Sequence, residues 1–425
     1  MDAERILSSM TAAGFVYTED ASRAEVIIIN TCAFIEAAVE ESISAILDHR
    51  VRNKDAYLVV AGCLPLRYRD EIAQALTEVN LFITPEQISD LVQLLSDSLS
   101  GSGDRYKEPA FSVQDRILTT PGYAYLKIAE GCSRACRYCT IPSIRGPLRS
   151  ADTLELEQEA MTVASRGVRE LVLVAQDLTS YGRDRREKGA LVRLLRRLDR
   201  IESLKWIRLM YLHPDSVPRG LGKAISDSEK ILPYLDIPFQ HISDTVLRAM
   251  GRPWKGERIR QLMDRLRSEI DGLVLRTTLM VGYPTEGEKE FRDLRKFVAS
   301  AEIEHVGVFT YSPEEGTRAW NLGDPVPLEE KEARAAEIRS AHSKFARKRN
   351  RRKLGNIEPA LIEGVSEESE LLLQGRCWDQ APEVDGALYI TAGNAVVGEV
   401  HEVKITDTHE FDLFAEIVDP PHVHD

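Results

Sequence analysis

The sequence predicts an α/β chain in three parts: an N-terminal parallel α/β domain, a larger β/α barrel or part of one, and a small all-β barrel at the C-terminus. Three observations predict it. Through most of the chain, buried apolar runs alternate with helical periodicity, the pattern of parallel strands crossed by helices. A stretch rich in Ser, Gly and charge, SLSGSGDRYKEP, interrupts that pattern and reads as a linker. After Asn356 the pattern changes to short apolar stretches separated by turn residues, which suits a compact barrel of about five strands. A length of 425 residues agrees with about three domains at roughly 150 residues each.

The elements follow in order. Ile6, Leu7 and Met10 share one helical face, and Ala13-Gly14 is a stop. AEVIIINTC (24–32), AYLVVAGC (56–63) and LFIT (81–84) read as buried strands, with the helical FIEAAVEESISAILDHR after the first. Cys32 and Cys63 each fall just past a strand's C-terminal end, where open parallel sheets place their ligand crevice. The next part offers six strands: YAYLKI (123–128), ELVLVA (170–175), WIRLMY (206–211), YLDIP (234–238), LVLRTTLM (273–280) and HVGVFT (305–310). Polar or reactive residues follow nearly all of them: Cys132, Gln176-Asp177, His213, Gln240-His241, Glu286 and Tyr311. Strand C-terminal ends are where barrel enzymes carry their chemistry. A charged helix is expected over 328–354, ending in a run of Lys and Arg. That run suits either the negative end of a helix dipole or an acidic or RNA surface. The last part reads as PALIEGV, ELLLQGR, ALYIT, VVGEVHEVKI and DLFAEIV. The expected boundaries are 1–97, a linker over 98–118, 119–354 and 355–425.

Charge is unevenly spread. The net charge is −13, yet from Asn356 onward sixteen Asp and Glu face only Arg376 and Lys404, so the rest of the chain is near neutral. An acidic module repels nucleic acid and attracts a basic protein; charge alone equally fits a merely solvated acidic face. No run of about 18 apolar residues occurs, so no membrane span is expected. The N-terminus has no signal-peptide pattern, and a cytoplasmic protein is expected. Six cysteines in so long a chain suit metal ligation rather than a disulfide scaffold. Cys377, alone in the acidic part, reads as structural.

GCSRACRYC places Cys132, Cys136 and Cys139 in a C-x₃-C-x₂-C run after the first strand of the second part. Three thiolates on one loop suit a [4Fe–4S] cube whose fourth iron stays open. The open iron can take the amino and carboxylate groups of S-adenosylmethionine and pass an electron to its sulfonium. A structural zinc site usually needs a fourth Cys or His, and none is near in sequence.

These residues, GCSRACRYCTIPSIRG with Cys32, Cys63 and the C-terminal barrel, resemble the methylthiotransferase family over essentially the whole chain. Members have an N-terminal methylthiotransferase domain, a radical S-adenosylmethionine core with an open (β/α)₆ barrel, and a TRAM domain. PGYAYLKIAEGC, LVAQDLTSYG, KILPYLDIPFQH and GRCWDQAPEVDG resemble the RimO branch, which methylthiolates the β-carbon of an aspartate in ribosomal protein S twelve. The alternatives are the tRNA adenosine branch, which usually has Gln-Asn where this chain has Gln176-Asp177, and a truncated, non-catalytic iron–sulfur protein.

The resemblance implies site residues and partners. It makes Cys132, Cys136 and Cys139 ligands of the radical cluster, and Cys32 and Cys63 two of the three ligands of an auxiliary [4Fe–4S] cluster that handles the transferred sulfur, a cluster expected to lack its third ligand in this chain. It sets Tyr138 near the adenine and Gln176, Gln240, Arg276, Gly282 and Glu286 along the S-adenosylmethionine pocket. Each of the six also has a plain structural reading, as a core aromatic or a strand-end residue. No side chain is assigned as a catalytic acid or base. An electron donor and a sulfur source are expected partners, and a monomer is expected. One departure stands out: the family's first strand, with a cysteine in a GCPKNxVDSE-type motif, has no counterpart. MDAERIL resembles the residues just after it, so an in-frame upstream coding stretch or a truncated gene is expected.

Overall fold

The computed structural model describes residues 2–100 and 116–418; most of the linker expected over 98–118 lies outside them. The chain forms two compact units. The first is Met1–Thr119 with Cys139–Gly146 and Glu314–Thr317; the second is Thr120–Tyr138, Pro147–Pro313 and Arg318–Asp425.

The first unit runs α1 (Asp2–Ala12), β1 (Val26–Thr31), α2 (Glu36–Arg52), β2 (Tyr57–Gly62), α3 (Cys63–Ala75), β3 (Leu81–Ile83) and α4 (Leu91–Ser100), with the short α5 (Ile141–Ile144) contributed from further along. Its sheet is parallel in the order β1-β2-β3. Strand β2 is apolar throughout because both of its faces are covered. Val59 and Ala61 pack with Ile6, Met10 and Leu95, whereas Leu58 and Val60 pack with Ile46, Leu64 and Ile72. A strand buried on both sides loses the polar alternation of a half-exposed one.

The second unit holds six parallel strands: β4 (Tyr123–Lys127), then past the two-residue strands β5 (Ala129–Glu130) and β6 (Arg149–Ser150), β7 (Glu170–Val174), β8 (Trp206–Leu209), β9 (Ile231–Asp236), β10 (Val274–Val281) and β11 (His305–Thr310). They lie side by side in chain order, with β4 and β11 at the edges. The crossovers are α6 (Thr153–Ser165), α7 (Ala190–Leu198), α8 (Leu221–Ser226), α9 (Asp244–Ala249), α10 (Gly256–Glu269) and α11 (Glu288–Ser300). The Asp152 carboxylate starts α6 by accepting the Leu154 N–H at 2.8 Å and the Glu155 N–H at 3.3 Å. Helix α7 buries Leu191, Leu194, Leu195 and Leu198, the i, i+3, i+4, i+7 stripe of a helix with one face on a sheet.

Helix α12 (Leu328–Arg351) leads into a closed five-stranded barrel of β12 (Ile357–Ser366), β13 (Ser369–Cys377), β14 (Leu388–Ala392), β15 (Val400–Thr408) and β16 (Leu413–Ile417). The apolar stretch VVGEVHEVKI is only partly strand. Val396 and Val397 are exposed, Gly398 turns at φ +89°, and β15 begins at Val400. Of the cations closing α12, Arg347 pairs with Glu410, and Arg349 and Lys353 meet Asp379, all within this unit. Asp379 is buried, which alone would lift its carboxyl, but Arg349 and Lys353 hold it well below the usual range.

The small barrel seats on the N-terminal ends of the six strands. Leu361, Trp378 and Ala381 join Tyr123, Trp206 and Tyr234 in one apolar cluster. Buried ions flank it. Glu170, the first residue of β7, takes Arg208 Nε at 2.6 Å and also pairs with Arg376 of β13, which reaches Glu363 at 2.6 Å. Asp385 bonds the Tyr234 hydroxyl at 2.6 Å and faces Arg276 and His305. Cys377 is wholly buried, its thiol pushed up to about 12 by that burial, consistent with a structural role.

Candidate functional site

The opposite, C-terminal ends of the six strands carry the reactive residues. Strand β5 ends at Glu130, and Gly131, at a φ of +75°, turns the chain into the loop of Cys132 and Cys136. Cys132 is buried and Cys136 partly so. Burial pushes the Cys132 thiol up; the Arg134 backbone N–H, 3.4 Å from its sulfur, opposes that. A charged side chain inside the loop anchors it. Arg134 donates from Nε to Asp177 Oδ2 at 2.7 Å and also binds the Ser216 hydroxyl. Asp177 is buried, but Arg134 and the Ser180 and Thr179 hydroxyls keep its carboxyl below the usual range. The far side of the loop is stitched by its backbone. Arg137 N–H donates to Met250 O at 2.9 Å, and Arg137 O accepts from Ala319 N–H at 2.8 Å. At Gly251 a Cβ would stand 2.6 Å from Ala135 O, so glycine permits the approach.

The other expected pocket residues fall into three groups. Gln176 follows β7; its Nε2 donates to Glu130 at 3.0 Å, while its Oε1 is buried with no hydrogen-bond partner among the described residues. Gln240 extends β9 by a backbone bridge to β10, at a left-handed φ of +69°. Such a conformation costs a non-glycine residue of order 1–3 kcal/mol and clusters at functional positions. Gly282 and Glu286 form one turn. The buried Glu286 carboxylate accepts from Gly282 N–H at 3.0 Å, His241 Nε2 at 3.1 Å and Arg334 Nη1 at 2.6 Å. A Cβ on Gly282 would run into the Lys331 side chain. Two residues sit apart. Tyr138 packs on the cluster of Met250, Tyr283 and Tyr311. Arg276, third in β10, is held by Asp236 at 3.1 Å and faces Asp385 of the small barrel, toward the N-terminal ends of the strands.

In the first unit, Cys32 and Cys63 follow the aligned ends of β1 and β2, where Thr31 pairs with Gly62. Cys63 opens α3, a position that favours a thiolate. Burial raises its thiol, opposed by Arg145, whose Nε donates to Cys63 Sγ at 3.2 Å. The Cys32 loop is fixed by Ser42 Oγ to Cys32 O at 3.0 Å and by Arg67 Nη1 to Ala33 O at 2.8 Å. Arg134 and Arg145 carry no spacing signal; each is visible in the sequence only as an arginine close to a cysteine run.

The donor set fits iron–sulfur chemistry. Three thiols lie within eight residues of one loop, a backbone N–H is aimed at one sulfur, and the open Gln176 acceptor lies at the same strand ends. A cube binds each thiolate to a different iron, so its ligands stand further apart than those of one ion. Among the described residues no three His, Cys, Asp or Glu side chains close on a single-ion site.

Comparisons with known proteins agree with this layout. Residues 126–298 match the radical SAM superfamily, residues 1–84 the uncharacterized protein family UPF0004, and residues 354–418 the TRAM domain. The chain is 44% identical over 428 residues to the ribosomal protein uS12 methylthiotransferase RimO of Trichlorobacter lovleyi, covering 99% of this chain and 95% of that one. It is 43% identical to the protein of that name in Geobacter sulfurreducens, covering 98% and 96%, and 42% identical to that of Aquifex aeolicus, covering 97% and 93%. Among solved structures, the radical S-adenosylmethionine methyltransferase TsrM of Kitasatospora setae shares the fold at a TM-score of 0.53 and 12% identity, over 73% of this chain and 71% of that one.

Proposed function

Because the chain belongs to the RimO family of ribosomal protein uS12 methylthiotransferases, we propose that it methylthiolates the β-carbon of an aspartate in ribosomal protein uS12 (S twelve). It is a radical S-adenosylmethionine enzyme. The observation that carries the reading is the near full-length match, with the Cys132 loop standing at the C-terminal strand ends, where barrel enzymes carry their chemistry. When bound, [4Fe–4S] clusters and S-adenosylmethionine would supply the one-electron chemistry and the methyl group.

The chain's own residues bind and position. Cys132, Cys136 and Cys139 would hold the radical cluster, and Cys32 and Cys63 would supply two of the three ligands of an auxiliary cluster. Arg134, fixed by Asp177, keeps the loop in one shape and places a cation beside Cys132. Gln176 Oε1 is an acceptor awaiting an ammonium or hydroxyl donor, such as S-adenosylmethionine carries. The Gly282–Glu286 turn brings backbone close to the same mouth. The acidic C-terminal barrel suits a basic ribosomal protein better than RNA. No helix among the described residues is long and apolar enough to cross a membrane, and we place the enzyme in the cytoplasm with the ribosomes. An external electron donor and a sulfur source complete the reaction.

Mass spectrometry of uS12 from cells with and without the gene tests this. The expected result is an aspartate carrying a methylthio group only when the gene is present. An unchanged uS12 mass, together with tight, salt-sensitive tRNA binding by the protein, would move the assignment to tRNA adenosine.

A further inference from the structure

We propose that Glu383 is a specificity-determining residue, its carboxylate receiving a lysine or arginine side chain of uS12 on the face of the six-stranded sheet that carries Tyr125. The proposal rests on the reading that uS12 is the substrate, and its evidence lies wholly within the second unit. Tyr123 and Tyr125 stand two residues apart in β4, so both look onto the face lined by Val172, Met210 and Tyr234. The loop between β13 and β14 reaches this face from the small barrel. Glu383, in that loop, accepts the Tyr125 hydroxyl at 3.1 Å and the Tyr123 hydroxyl at 3.4 Å, both on Oε1. Asp385 braces the loop by accepting the Ala381 N–H at 2.8 Å and the Tyr234 hydroxyl at 2.6 Å, both on Oδ2.

Other acids of the small barrel that face the sheet and α12 have cations, and Glu383 has none. Glu363 pairs with Arg376, Asp379 with Arg349 and Lys353, and Asp385 with Arg276. Glu383 is exposed, makes no ion pair among the described residues, and holds only two neutral phenols, leaving Oε2 without a hydrogen bond among them. Its backbone sits at a left-handed φ of +67°, a strained conformation that clusters at functional positions. Tyr211, just past the end of β8, shares that signature, at φ +58° and 43% exposed. Burial lifts the Tyr211 phenol, the Asp236 and Glu383 carboxylates add to this, and Arg276, itself held by Asp236 and Asp385, opposes it. Burial and Glu383 likewise lift Tyr125, so both rings stay neutral. A carboxylate with neutral aromatic rings beside it attracts a cation in two ways, through a charge-assisted hydrogen bond and through the ring quadrupole. An apolar or anionic side chain gains neither.

The test is binding of fluorescein-labelled uS12 peptides, spanning the modified aspartate, to the full chain with S-adenosylmethionine present, read by fluorescence anisotropy. In a peptide series, each Lys and Arg in turn is replaced by Met. One replacement should weaken binding to wild type about tenfold, the scale of a single hydrogen bond to a charged group. Glu383→Gln should weaken binding of the unaltered peptide by a similar factor, yet bind the peptide lacking that cation as wild type does. Glu383→Gln equal to wild type on every peptide, or weaker by the same factor on every peptide, overturns the role of Glu383 and leaves the uS12 reading intact. Wild type that binds none of the peptides overturns the uS12 reading and the proposal with it. Should Glu383→Gln fail to fold, seen as a lost thermal transition, Glu383→Asp decides. Weakening confined to the peptides that keep the cation supports the proposal; uniform or absent weakening overturns it.

Discussion

His213 opens the short 3-10 turn after β8, where its Nδ1 accepts the Asp215 N–H at 3.3 Å. Burial, with the Arg252 and Arg134 cations nearby, lowers its pKa to about 3. An unfolded histidine titrates near 6.5, so the folded chain binds fewer protons between these values. Stability is then lost as the pH falls below about 6.5, and the loss is complete near 3. By pH 5 this one imidazole costs up to about 2 kcal/mol. His213→Gln should flatten that loss, read as a smaller drop in thermal midpoint between pH 7 and pH 5 than in wild type. An equal drop in both proteins would show that His213 is charged in the fold. The position of His213 after a strand was legible in WIRLMYLHP; its neutrality was not, because Arg134 and Arg252 come from distant segments.

At the scale of elements, the start of β4 meets the turn before β15 through two glycines. A Cβ on Gly122, at φ +75°, would stand 2.5 Å from Gly398 O and 2.7 Å from Gly398 Cα, and Gly398 itself is at φ +89°. Gly122 O also accepts the Arg169 and Glu170 N–H groups at 2.7 and 3.0 Å, so β4 cannot shift without disturbing β7. Gly122→Ala should destabilise by about 1–3 kcal/mol, the range of overpacking, seen as a lower urea midpoint with an unchanged slope. A midpoint equal to wild type would mean that the turn yields freely. The β4 strand was plain in YAYLKI. Gly398 as its neighbour was invisible, because 275 positions lie between them.

For the whole molecule, the docking of the small barrel on the six-stranded sheet depends on buried charge. Arg376 lies between Glu170 and Glu363, with Tyr123 under its guanidinium at 4.9 Å. Removing one partner of a buried pair leaves the other charge uncompensated and costs about 3–5 kcal/mol. Arg376→Met should lower the denaturation midpoint by that order, and adding Glu170→Gln should recover part of it, since the two changes share one network. Strict additivity of the two would indicate that they act independently. The net charge of the barrel was readable from composition, and it pointed outward, to a basic partner. The structure turns several of those acids inward: Glu363, Asp379 and Asp385 serve the sheet and α12.

Local patterns carried what the sequence determined by itself. The nine parallel strands, the five-stranded barrel and the Cys132, Cys136 and Cys139 loop each declare themselves within a few residues, through burial on both faces, turn spacing or thiol spacing. The pocket residues declared less, since Gln176, Arg276 and Glu286 all read alike as polar groups near a strand. Only the tertiary structure separated them, leaving Gln176 with an open acceptor, giving Arg276 to Asp236 and locking Glu286 into the Gly282 turn. The reason is physical. Secondary structure follows from periodicity along the chain, whereas the partner of a buried polar group is set by whichever distant segment arrives to satisfy it.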